Sequence, residues 1–148
     1  MGLFDKVKGV KEAETIKLTK EESFAGITLA AVAADGVITE EEAQGLVVSL
    51  VRMKTYAGYN GNQMSAMLNK LIGILKKQGI DVLVNMSKES LPQDLRETAF
   101  AVATDLALAD GEIADQEKGI LTKIQQSLGI PEDKAVNIIE VMLIKNRG

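Results

Sequence analysis

Ala34-Asp35-Gly36-Val37-Ile38-Thr39-Glu40-Glu41-Glu42 spells a helix end, a tight turn and a helix start within nine residues. Gly36 accepts the left-handed backbone that stops a helix. Thr39, with Glu42 three places on, is a capping box that starts the next one. The same pattern returns 75 residues later as Ala109-Asp110-Gly111-Glu112-Ile113-Ala114-Asp115-Gln116-Glu117. Alanine, aspartate, glycine, isoleucine and the closing glutamate are identical in the two copies. At the same shift Glu22 lies over Glu97 and Leu46 over Leu121. Self-similarity of this kind marks a repeated supersecondary unit.

Working outward, Thr19-Lys20-Glu21-Glu22 is another capping box and opens a helix to about Ala34. The helix after Thr39 is expected to run to about Tyr56, with Gly58 to Gly61 as a loop. Met64, Met67, Leu68, Leu71, Ile72 and Leu75 recur at helical spacing and predict a helix over 62–78. A short helix follows over 81–89. Pro92 restarts the chain for a long helix to about Ala109, and another is expected over 115–127. Pro131 opens the last, with Ala135, Ile138, Ile139 and Met142 inward. No stretch alternates at period two. The expected fold is all-α: a single-domain bundle of about seven to eight helices, in two pseudo-symmetric halves that each hold a helix, an Asp-Gly turn and a helix. Residues 1–18 read as a basic amphipathic arm, residues 19–148 as the domain, with repeat one about 19–78 and repeat two about 92–146.

Composition agrees and narrows the chemistry. With 148 residues, 46% hydrophobic and 3% aromatic, the core is built from aliphatic side chains, which suits helix-on-helix packing. There is no cysteine and no histidine. That removes thiolate and imidazole metal sites, the cysteine nucleophile and the commonest general base. Any metal must be a hard cation held by oxygens. A net charge of −4 argues against nucleic acid, which is bound by clustered Lys and Arg. The longest apolar run, Ile27 to Ala34, is far short of a membrane span. The opening has neither a signal peptide's apolar stretch nor a myristoylation pattern, so a cytoplasmic location is expected.

The repeated D-G-x-I-x-x-x-E resembles the second half of a calcium-binding EF-hand loop. The first half is missing, since Ala31 and Ala33 in one copy, and Leu106 and Leu108 in the other, stand where oxygen ligands belong. Capping explains Glu42, helix termination explains Gly36 and Gly111, and core contact explains Ile38 and Ile113. It leaves the aspartates, which sit at helix C-termini where the macrodipole disfavours negative charge by a few tenths to about 1 kcal/mol. It also leaves Glu117, which recurs although Ala114 is a poor cap. A divalent cation, calcium or magnesium, bridging Asp35 with Glu42 and Asp110 with Glu117 would offset that charge. Two ligands per copy predict a weak, water-rich site, unless both copies share one ion. Glu40, Glu112 and Asp115 are near enough in sequence to add oxygens. Glu22 and Glu97 read as capping or first-turn charges.

These motifs resemble the TerB family of bacterial tellurite-resistance and stress-response proteins. The resemblance rests on Phe4-Asp5-Lys6-Val7-Lys8-Gly9, on Ala33-Ala34-Asp35-Gly36 with Glu41-Glu42, and on Ala109-Asp110-Gly111 through Glu117 with Ser127-Leu128-Gly129. It covers most of the chain and is weakest over about 56–89. The related domain at the start of certain membrane-bound co-chaperones shares the acidic turns. The resemblance implies an all-helical protein whose acidic surface, here Asp35, Glu42, Asp110 and Glu117, chelates metal. It also implies protein partners, among them other tellurite-resistance proteins in cytoplasmic complexes or peripheral at the inner membrane. The main departure is Ala114 in place of a polar residue. A metal-binding interaction module is therefore expected, with a metal-independent adaptor, whose acidic turns are helix caps, as the alternative. An enzyme is not expected. The only arginines are Arg52, Arg96 and Arg147, and nothing in the sequence supplies a nucleophile or a phosphate cradle.

Overall fold

Thirteen residues with no amphipathic stripe organise the molecule. The helix α1 (Lys20–Val32) buries every residue from Ser23 to Ala31. A helix apolar on all sides belongs in the interior, and its small residues Ala25, Gly26, Ala30 and Ala31 let neighbours come close from several directions. The computed structural model describes residues 17–109 and 111–147. Around α1 stand α2 (Glu40–Val51), α3 (Gly61–Gln78), α4 (Ile80–Ser90), α5 (Gln93–Ala107), α6 (Asp115–Ser127) and α7 (Glu132–Lys145), with a 3-10 turn at Lys54–Tyr56. No strand occurs among the described residues. α4 and α5 make the broadest contacts with α1; α7 reaches the bundle chiefly through α5. The all-helical expectation stands, with seven α-helices among the described residues.

Several boundaries differ from the sequence reading. α2 stops at Val51 and not near Tyr56, because Met53 turns extended (φ −80°, ψ 147°) and a 3-10 turn carries Tyr56 inward. The tyrosine is 1% exposed, and its hydroxyl donates to the Glu21 carbonyl at 2.8 Å. Core burial of one aromatic side chain has overridden helical continuity. α3 begins at Gly61, one residue before the expected start. Asn60 and Gln63 cap it reciprocally, at 2.8 and 2.9 Å. α4 extends one residue further at each end than expected, and α5 ends at Ala107, two residues before Ala109. In α7 only Ala135 is fully buried; Ile138, Ile139 and Met142 are half-buried.

Most of the expected arm (residues 1–16) and Asp110 lie outside the described residues. At the start of the described chain Leu18 is buried in the core. No helix among the described residues is long and apolar enough to cross a membrane.

Candidate functional site

The two turns are built from local chemistry. After α1, the Gly36 N–H donates to the Ala33 carbonyl at 2.7 Å, with Gly36 at φ 84°. Asp35 Oδ1 accepts the Val37 N–H at 3.1 Å, which gives this aspartate a turn-forming role of its own. Thr39 Oγ1 accepts the Glu42 N–H at 3.1 Å, and Glu42 Oε1 accepts the Thr39 N–H at 3.0 Å. After α5, Gly111 adopts φ 82° and its N–H donates to the Leu108 carbonyl at 2.9 Å. Glu117 Oε1 accepts the Ala114 N–H at 2.9 Å. Ala114 has no hydroxyl to answer, so the second box is half of the first. Ile38 and Ile113 are half-buried against the core.

Three of the four candidate ligands meet on one surface. Glu42 and Glu117, together with Val32, line two hollows between the acidic turns. One, about 280 Å³, is walled by Leu46, Leu106, Ala107 and Ala109. The other, about 200 Å³, adds Asp35, Ala34, Ala114 and Gln116. Among the described residues, no lysine or arginine lines either hollow. Among the described residues, none forms an ion pair with Asp35, Glu42 or Glu117. The three carboxylates line this region without converging as ligands, since no group of three acidic side chains among the described residues is placed to hold one ion. One oxygen of each accepts a backbone N–H.

The neighbouring acids divide. Glu40 lines a different hollow, against Ser65 and Asn69 of α3. Asp115 is fully exposed, 3.8 Å from Lys118. Glu97 pairs with Lys134 at 3.0 Å. Glu22 caps α1 by accepting the Thr19 N–H at 2.9 Å and pairs with Lys70 at 2.7 Å. Glu22 and Glu97 are thus accounted for by capping and pairing.

A larger depression, about 710 Å³, lies beside that Glu22–Lys70 pair and is bordered by Lys54, Tyr59 and Gln63. The sequence reading did not anticipate it, because it depends on the inward turn at Tyr56. Burial pushes the Glu22 carboxyl upward, but the Lys70 ammonium and the Thr19 N–H and hydroxyl outweigh that and hold it below its ordinary value. Since the folded value lies below the unfolded one, the stabilisation is fully present above the unfolded value of 4.5. It is lost as pH falls through the folded value. Glu22→Gln can still cap α1 but does not titrate. It is expected to flatten the acid limb of the stability curve between about pH 2 and 5, as read by urea unfolding.

Comparison with protein-family models, with curated proteins and with solved structures finds no match to this chain.

Proposed function

We propose that the chain is a non-enzymatic, divalent-cation-binding protein-interaction module whose cation engages the surface between the two acidic turns. One observation carries the reading. Glu42 and Glu117, equivalent positions of the sequence repeat, line the same hollows beside Asp35, with no lysine or arginine among the described residues there to neutralise them. In this reading the halves are pseudo-symmetric, and one weakly held, largely hydrated calcium or magnesium ion is shared between the repeats. A partner protein then docks on the ion-bearing face. The link to tellurite resistance and stress response rests on the quoted TerB-like motifs alone. The second reading is a metal-independent adaptor. It is favoured by the backbone N–H that already occupies one oxygen of each carboxylate.

Thermal unfolding in chelator, then with added calcium, magnesium or manganese, separates the two. A cation that binds only the folded chain stabilises it by about 1.4 kcal/mol at ten times its Kd, raising the midpoint by roughly 3–6 °C. Glu42→Gln and Glu117→Gln are the informative variants, because glutamine at the third helical position still caps the helix while the charge is gone. The expected result is a saturable rise that both variants abolish. No rise with any of the three cations up to about 10 mM, well above the affinity range of weak calcium modules, would sink the metal reading and leave the adaptor.

A further inference from the structure

Of the six asparagines in the chain, Asn60 alone is followed by glycine. It is exposed and caps α3, and Gly61 is the first residue of that helix. At that position the helix supplies no carbonyl for the Gly61 N–H. Nothing among the described residues requires a glycine there. A Cβ at Gly61 would meet no heavy atom within 4 Å, its φ is not positive, and alanine is the better helix former. What glycine does provide is an unshielded backbone nitrogen next to the side-chain amide of asparagine, a thermolabile group.

We infer that Asn60–Gly61 is a modification site, deamidating through a cyclic imide, and that the capping box of α3 is its gate. The Gly61 nitrogen gives up its proton to water and bonds to Asn60 Cγ. The Cγ–Nδ2 bond breaks and ammonia leaves. Water then adds to one imide carbonyl or the other and opens the ring, leaving aspartate or isoaspartate. Water is the only co-reactant. The ring closes only when Asn60 Cβ and the Gly61 nitrogen nearly eclipse about the Cα–C bond. At the observed ψ of 175° they are staggered. Two bonds hold that angle: Asn60 Oδ1 accepts the Gln63 N–H at 2.8 Å, and Gln63 Oε1 accepts the Asn60 N–H at 2.9 Å. Turning ψ moves the Asn60 N–H and side chain away from Gln63, so both must break first. The reactive geometry therefore belongs to a local opening of the helix end, well short of global unfolding. The two products differ in consequence. Aspartate keeps the cap and adds an anion at a helix N-terminus. Isoaspartate inserts a methylene into the backbone between α3 and Tyr59, which stands edge-on to the buried Tyr56 at 5.5 Å.

Peptide mass mapping of the full-length chain, incubated in mildly alkaline buffer with and without urea, tests both parts. In the folded chain Asn60 is expected to gain the mass of an amide-to-acid conversion ahead of the other asparagines, with ammonia released. In urea the conversion should run about tenfold faster, as two net hydrogen bonds would hold it back. Gln63→Ala leaves the reacting residues in place. It should speed conversion in the folded chain about two- to tenfold, the worth of one such bond, and leave the rate in urea unchanged. Gly61→Ala should suppress conversion in both conditions, because its methyl shields the nitrogen. Equal rates for the original chain with and without urea, or no acceleration in Gln63→Ala, would overturn the gate. No conversion of Asn60 in the folded chain, other asparagines converting before it, or undiminished conversion in Gly61→Ala would overturn the site itself.

Discussion

Tyr56→Ala is expected to cost about 3–5 kcal/mol of folding stability, the range for removing a large aromatic side chain from a packed core. The ring is 1% exposed. It stands edge-on to Phe24 at 6.3 Å between centroids, and to Tyr59 at 5.5 Å. Its hydroxyl holds the Glu21 carbonyl, in the first turn of α1. Truncation therefore removes three things at once: the buried area, two edge-to-face contacts and the tie between the 3-10 turn and the central helix. Tyr56→Phe removes only the tie. It is expected to cost about 0.5–1.5 kcal/mol, because Glu21 is only half-buried and water can reach its carbonyl. Urea unfolding of the two variants separates the terms. A domain of this kind has roughly 5–15 kcal/mol in total, so the alanine variant should sit close to unfolding. A loss below about 1 kcal/mol for Tyr56→Ala would mean that the 3-10 turn does not seal the core, against the range for such truncations.

That residue also marks where sequence reasoning stops. Capping boxes at Thr19 and Thr39, and the glycine stops at Gly36 and Gly111, announce helix ends through local chemistry, and the helices lie where that chemistry puts them. Tyr56 leaves the helix for a tertiary reason, a space beside Phe24, and no periodicity within α2 signals it. The central position of α1 is legible in hindsight from Ser23-Phe24-Ala25-Gly26-Ile27-Thr28-Leu29-Ala30-Ala31, which has no polar face to turn toward water. The candidate site divides in the same way. Spacing alone picks out Asp35, Glu42 and Glu117, but that Glu42 and Glu117 line shared hollows is a property of packing. The turn bond from Asp35 to the Val37 N–H supplies a structural reason for an aspartate that the macrodipole argument leaves unexplained.

At Gly26 a side chain on α1 would run into α4, and the effect of filling it should reverse sign with the partner residue. A Cβ at Gly26 would stand 2.2 Å from Ser87 Oγ, 3.4 Å from Ser87 Cβ and 3.5 Å from Leu83 Cδ1. The first distance is a collision; the other two are ordinary contact. Alanine is the better helix former by about 1 kcal/mol, yet Gly26→Ala alone is expected to destabilise by about 1–3 kcal/mol, because α4 must move or Ser87 must leave its rotamer inside a filled core. Ser87→Ala removes the colliding atom. That hydroxyl is fully buried with no hydrogen-bond partner among the described residues, so its loss should be neutral or stabilising. In the Ser87→Ala background, Gly26→Ala then keeps its helical advantage without the clash and should stabilise by up to about 1 kcal/mol. The double-mutant cycle is expected to return a coupling of about 2–3 kcal/mol between residues 61 positions apart in sequence. Additive effects would mean that Ser87 Oγ swings aside at no cost. The glycine would then be tolerated at the crossing, not required by it.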